Sequence, residues 1–367
     1  MGDLREEFNA VEGEENQIDT EYVKCSGCGA NMVFEPNDQA LYCPHCGSVK
    51  SFDSTIQAQE KDLLKGFSED EKWSKEETSV FKCNNCGAQV VLQLNETANH
   101  CPFCGTSHVV KTEELAGLRP NAVLPFTFDG EKALSLSKTW AKKRFFAPSK
   151  FKKHLNADNV KGVYTPCFTF DSHTTSTYVG RIGNTYTRTV GSGKNKRVET
   201  YVVWRNIGGT HLDSFDDVLI SAGSKFDAVK IRKLSPFYTN ESRKYDEKFL
   251  LGFMAYHYDR ELDDCWADAK VSIDSVIKRS ILSKYVYDRV AYLNVSTSHE
   301  NVTYKYAMLP VYVGNFNYAK KCYNFYVNGS TGKVWGKTPK SFLKIFATVV
   351  LSIAAIVGLG FLTGIIG

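Results

Sequence analysis

The spacing of apolar residues changes character along the chain, and each change predicts an element. Over 259–284, Leu262, Trp266, Ala269, Ile273, Val276 and Ser280 recur at alternating steps of four and three, which puts them on one face of a helix. Glu261, Asp263 and Asp264 open this stretch and Lys278, Arg279 and Lys284 close it, the charge order that complements a helix macrodipole. The repeat is too short for a coiled coil and predicts a helix that covers a sheet. A shorter helix is expected over 129–143, where Ala133, Leu136 and Trp140 share a face and Asp129 stands at the N-cap position. Residues 163–220 alternate instead and are rich in Tyr, Thr, Val and Phe, with a loop at Gly191–Lys196 between 185–190 and 197–204. They predict an antiparallel meander. Further strands are expected over 285–298, 303–313 and 321–327, with a turn at Asn328-Gly-Ser-Thr-Gly332. The sum is an α+β fold with mostly antiparallel strands.

The last stretch has no period. From Ile345 to Gly367 there are 23 positions without a charge, which as a helix reach about 34 Å against a hydrocarbon core of about 30 Å. One C-terminal transmembrane helix is therefore expected, within a membrane anchor at 339–367. Lys333, Lys337, Lys340 and Lys344 precede it, so the N-terminal domains are expected in the cytoplasm. Ala354, Gly358, Gly360 and Gly364 have the small-residue spacing of a helix-packing face. At the other end, residues 1–20 are acidic and poor in apolar side chains, hence an expected disordered tail. They lack the basic, then apolar, run of a secretory signal.

Chemistry concentrates between these ends. Cys25, Cys28, Cys43 and Cys46 form two C-x2-C pairs separated by fourteen residues, and Cys83, Cys86, Cys101 and Cys104 repeat the pattern 58 residues later. Each pair is followed by glycine, the residue that best accepts the positive φ at the end of a metal-binding knuckle. Four thiolates from two facing knuckles make a closed tetrahedral zinc site. A unit of this size buries too little apolar surface to fold alone, so Zn2+ must supply the folding free energy, and two structural ions are expected. The zinc ribbons are placed at 21–52 and 80–111, with a polar linker or helix at 53–79 and an aromatic-rich α+β domain at 112–338. Cys167, Cys265 and Cys322 are isolated and are expected to be small buried hydrophobes. His45, His100 and His108 lie near the clusters and are expected at knuckles or on the surface.

Charge divides the chain. Residues 1–111 carry 19 acidic and 9 basic side chains, a net of −10, whereas 112–367 have a net of +14. Acidic ribbons argue against duplex binding through them, since that affinity comes from neutralising phosphates. The basic residues include a run from Lys138 to Lys161, with Lys142, Lys143, Arg144, Lys150, Lys152 and Lys153 interleaved with Phe145, Phe146 and Phe151. It reads either as a contact for phosphate on nucleic acid or lipid, or as a solvated helix face whose aromatics pack inward.

Catalytic patterns are missing. Gly332-Lys-Val-Trp-Gly336-Lys337-Thr338 lacks the first glycine of a phosphate loop, since Thr331 stands in its place, and no H-E-x-x-H or G-x-S-x-G occurs. Asp216-Asp217 and Asp263-Asp264 are adjacent and should point apart. His154, His173, His211, His257 and His299 are scattered. No enzyme is expected.

Two four-cysteine ribbons, an aromatic α+β domain ending in Asn328-Gly-Ser-Thr-Gly-Lys333, and one apolar terminal stretch resemble the bacterial TFIIB-type zinc-ribbon membrane proteins of the YdjG-like kind. The resemblance implies membrane-bound partners, namely a phage-shock-protein-A homologue and an SPFH-type or virion-core-like protein, acting in envelope stress. The function expected is a membrane-anchored, cytosol-facing adaptor that recruits partner proteins. The second reading is a membrane-tethered nucleic-acid-binding ribbon protein. No small-molecule substrate is implied.

Overall fold

The computed structural model describes residues 24–65, 78–93, 101–103, 109–112, 118–153, 160–318 and 321–362. In chain order these form β1 (Val33–Glu35), β2 (Ala40–Tyr42), β3 (Val49–Lys50), β4 (Lys61–Asp62), β5 (Thr78–Cys83), β6 (Gln89–Gln93), β7 (Val109–Thr112), β8 (Ala122–Val123), α1 (Gly130–Lys142), α2 (Ser149–Lys153), β9 (Val160–Val190), β10 (Arg197–Ser221), α3 (Ala228–Leu234), β11 (Arg243–Lys244), β12 (Met254–Tyr256), α4 (Leu262–Ser283), β13 (Arg289–Tyr318), β14 (Lys321–Asn328), β15 (Val334–Gly336) and α5 (Phe342–Leu362). The expected disordered tail lies outside the described residues.

Three strands organise the rest. β9 is 31 residues long, about 100 Å at roughly 3.3 Å per residue. It lies between β10 and β13, antiparallel to both, in registers that run from Val190↔Arg197 to Cys167↔Ser221 and from Gly183↔Arg289 to Val160↔Gly314. The expected meander is thus one long hairpin, with its loop at Gly191–Lys196 as expected. The strands expected at 285–298 and 303–313 are a single strand, irregular between Glu300 and Thr303. Short strands add parallel pairs, β8 on β13 and β12 on β9, in an otherwise antiparallel sheet.

Burial explains the sequence pattern along β9. Val163 to Phe170 are buried at every position, because both faces are covered here and alternation has no role. One face carries Tyr164, Phe168, Phe170, Tyr306, Met308 and Tyr312, packed with α1. The other carries Val163, Cys167, Leu309, Val311 and Val313, packed with Ile231 and Leu234 of α3. Beyond Asp171 burial alternates, since α4 covers only one face of the ribbon, through Ile273, Ile277 and Ile281 on Tyr178, Ile182 and Ile207.

α1 forms as its pattern requires: the Asp129 side chain accepts from Lys132 N, and Ala133 and Trp140 are buried. α4 forms over the expected span, but the buried stripe differs from the expected one. Leu262, Ala269 and Ile273 are buried as expected, but from Cys265 the buried row runs at steps of four through Ala269, Ile273, Ile277 and Ile281, while Val276 is exposed. That row is inclined to the helix axis and follows the twist of the ribbon beneath it, which a period read along the axis does not contain.

The described part of the polar linker is tied down to the body and carries one short 3-10 turn, Leu63–Lys65. β4 pairs with β13 at Thr303↔Asp62, and Gln57 bridges to Arg243. The turn after β14 is held by Asn328, whose Oδ1 accepts from the N–H groups of Ser330 and Thr331. Cys167 and Cys265 are buried as expected; Cys322 is exposed, because it lies near the end of the β13–β14 hairpin.

The C-terminal helix α5 is 21 residues long and has only Lys344 as a charge. Phe342, Leu343, Leu351, Ile353 and Ile356 are all exposed. Among the described residues no helix is long and apolar enough to cross a membrane, so the expected transmembrane helix is not borne out there; its last residues, 363 to 367, lie outside the described residues.

Candidate metal centre

The first cysteine cluster is assembled by two knuckles and a hairpin. Cys25 N donates to Ala30 O (2.8 Å) and Gly29 N to Cys25 O (2.8 Å); Cys43 N donates to Ser48 O (2.8 Å) and Gly47 N to Cys43 O (2.9 Å). Both turns end on glycines at φ 71° and 76°, where a Cβ would strain the backbone. β1 and β2 join the knuckles with Val33↔Tyr42, Phe34↔Leu41 and Glu35↔Ala40 in register. This brings the sulfurs of Cys25, Cys28, Cys43 and Cys46 all within 4.8 Å of one another. Cys25 lies 3.5 Å from Cys46 and Cys28 lies 3.6 Å from Cys43.

Those separations fit zinc. Four sulfurs at about 2.3 Å from one ion stand about 3.8 Å apart in a tetrahedron. Polar donors also face the sulfurs. The Ser48 hydroxyl and then its backbone N–H hold the Cys46 thiol down at about 6, and the N–H groups of Gly27 and Cys28 lower Cys25. Ala30 N–H pulls Cys28 down as well, but Cys46, burial, Cys43 and Cys25 together push it up to about 12. Four crowded sulfurs do not all ionise by themselves; a dication supplies the charge that lets them.

The second cluster repeats the first knuckle. Cys83 N donates to Ala88 O (2.9 Å), Gly87 N to Cys83 O (2.8 Å), and Gly87 has φ 72°. The sulfurs of Cys83, Cys86 and Cys101 lie within 4.8 Å of one another, with 3.6 Å between Cys86 and Cys101. Cys104 lies outside the described residues, as do His100, His108 and His154. His45 is exposed.

The two ribbons meet the body differently. β1–β2–β3 is a separate small sheet, seated by Phe34 on Phe249 at 5.3 Å and by Phe34 N donating to Leu251 O at 3.0 Å. The second continues the main sheet, since β6 pairs with β12 at Ala255↔Val91 and Tyr256↔Val90. Cys25 and Cys43 belong to the core on one face of the sheet, Cys83 and Cys101 to the core on the other.

One cluster was not expected from the sequence. Opposite Asp171 both neighbouring strands are irregular, between Phe215 and Val218 on β10 and between Glu300 and Thr303 on β13. The irregularity turns the adjacent Asp216 and Asp217 toward common neighbours instead of apart: carboxylates of Asp216, Glu60 and Asp171 lie within 4.8 Å, and Lys305 Nζ reaches Asp217 at 2.8 Å and Glu60 at 3.2 Å. Burial, then the Glu60 carboxylate, raises Asp171 to about 7, and the hydrogen bond from Asp171 helps hold Glu60 at about 2. The buried ammonium of Lys305 answers this charge. Two acids in an otherwise alternating strand were the available signal, since bulges re-aim side chains. Of the scattered histidines, His211 is buried, with Nδ1 2.7 Å from Lys284 Nζ, and His173 and His299 meet Ser214 and Ser172.

The molecule is a zinc-binding protein whose cysteine clusters are attached to a long-stranded, mostly antiparallel body. Residues 21–51 match the model of a zinc ribbon domain family, which bears out the ribbon expected there without its finer TFIIB type. Over 331 residues, 88% of this chain and 92% of the other, it is 28% identical to the uncharacterized protein YdjG of Bacillus subtilis (strain 168). No solved structure matches it.

Proposed function

We propose that the protein is a membrane-anchored zinc-ribbon adaptor whose N-terminal domains lie in the cytoplasm and gather partner proteins at the membrane. The observation that carries this is α5. It leaves the body with apolar side chains exposed around its circumference, which water alone does not favour. Side chains are described only to Val357, and the uncharged sequence continues to Gly367, so the apolar length available to lipid exceeds the part described. Zinc holds the ribbons for binding instead of catalysis. A phage-shock-protein-A homologue and an SPFH-type protein are the partners proposed, on the resemblance to YdjG-like proteins.

A second reading, tethered nucleic-acid binding, is favoured by the tip of the β9–β10 hairpin. Arg188 lies 5.6 Å from the Tyr201 ring, Tyr186 stacks on Tyr201, and Arg197 and Val198 are exposed beside them. Aromatic and guanidinium faces of this kind stack on single-stranded bases.

Full-length protein purified from mildly solubilised membranes separates the readings. Specific proteins retained by the native chain and lost with Cys25→Ser and Cys83→Ser support the adaptor. Retention of nucleic acid that is released by moderate salt supports the second reading; recovery in the soluble fraction refutes the anchor.

A further inference from the structure

The structure gives a place to the first half of the basic run 138–161. After α1 the chain turns through Arg144 to Ala147 and abuts the first turn of α5. Ser341 N donates to Phe146 O (2.8 Å), and Lys344 Nζ donates to the carbonyls of Phe145 (3.3 Å) and Ala147 (2.8 Å). With the carbonyls held on α5, the side chains of Phe145 and Phe146 stand in solvent, 64% and 43% exposed, with ring centroids 5.2 Å apart. Phe151 on the same run is instead fully buried, against Trp140 and Phe316. The run is therefore not one helix face with its aromatics packed inward.

Around the exposed pair the surface has one character. Phe342, Leu343 and Phe346 are exposed at the start of α5, and Lys138, Lys143, Arg144, Lys150, Lys337 and Lys340 are exposed on the flanking segments. No Asp or Glu occurs in the sequence from 133 to 157 or from 301 to 367. Aromatic rings beside cations at the foot of an apolar helix match the chemistry of an anionic bilayer surface, where rings settle at headgroup depth and ammonium and guanidinium groups meet phosphates.

We propose that the Arg144–Ala147 turn is an interfacial platform: Phe145 and Phe146 enter the headgroup layer of an anionic membrane beside α5, and the surrounding lysines and Arg144 hold lipid phosphates. This rests on the anchor reading above and goes further, because a span alone leaves the body free to pivot. A platform on a second segment sets the body's orientation. The β9–β10 tip then points away from the membrane, since α2 meets β13 through Phe316 at the end opposite Arg289.

The test places a photoreactive p-benzoylphenylalanine at one position at a time in the full-length chain, in vesicles of equal parts phosphatidylglycerol and phosphatidylcholine. Positions 145, 353 and 212 are compared, the last being Leu212 of β10, 71% exposed. Lipid adducts are expected from 145 and 353 and not from 212. The adduct from 145 should fall several-fold with Lys143→Glu and Arg144→Glu, or in phosphatidylcholine alone, while that from 353 persists. Adducts from 353 without any from 145 overturn the platform and leave the anchor standing. Adducts from neither overturn the anchor reading and the platform with it. Equal labelling from 212, or a protein adduct in place of lipid from 145 in native membranes, also overturns the platform.

Discussion

The two zinc ribbons are copies of one local design in two different settings. The knuckles agree closely: Gly29 and Gly87 have φ 71° and 72°, and Gly29 N and Gly87 N each reach the first cysteine's carbonyl at 2.8 Å. Their surroundings do not agree. The first ribbon is a small sheet of its own that sits on aromatic side chains. The second hydrogen-bonds into the main sheet, and Phe103, next to Cys104 in sequence, packs on Tyr256 at 5.2 Å while its carbonyl accepts from Asn324 at 2.8 Å. Zinc and a short hairpin suffice to repeat a knuckle, but what a ribbon loses without metal depends on its neighbours.

The largest effect should come from removing the metal. Structural zinc contributes roughly 10–16 kcal/mol in zinc-finger peptides, so a strong chelator should abolish amide protection over β1 and β2. β6 should retain more, because β12 still pairs with it. Hydrogen exchange resolved by segment reads this, and equal loss in both ribbons would break the comparison. Next in size is Phe34→Ala, which empties the contact with Phe52, Phe249 and Phe253. A buried Phe→Ala change costs about 3–5 kcal/mol. Chemical denaturation should show this loss together with early unfolding of the first ribbon, while exchange in β6 is unchanged.

The smallest effect concerns the segment between the ribbons, which Glu60 fastens to the body. Asp171 is raised from 3.8 to about 7, so the folded state binds its proton more tightly than the unfolded chain does. Its contribution is complete below pH 3.8 and is lost as pH rises to about 7. Glu60 is shifted the other way, from 4.5 to about 2, and its contribution is lost only in acid. The melting temperature should therefore decline from about pH 5 to about pH 8 in the native chain and decline less in Asp171→Asn. An identical slope in both would show that the proton is not held there.

How much was legible follows from the range of the forces involved. The N-cap at Asp129, the hairpin loop at Gly191–Lys196 and the Asn328 turn were readable because their hydrogen bonds close within a few residues. The zinc clusters were readable because ligand spacing is itself a local signal. The continuity of β13 through Glu300 was not, since polar residues there resemble a turn until Asp171 is seen opposite. Nor was the buried row of α4, which is selected by the ribbon beneath it.

By itself, the sequence determined the duplication, the thiolate donor set, the class of secondary structure and the charge contrast between the two parts of the chain. These depend on composition and on contacts between near neighbours. Only the tertiary structure decided that the two cysteine clusters join the cores on opposite faces of one sheet, that Asp216 and Asp217 gather with Glu60 and Lys305, and that Phe145 and Phe146 flank α5. Each of those brings together residues dozens to hundreds of positions apart, and the free energy that holds them arises only once apolar side chains from distant segments are buried together.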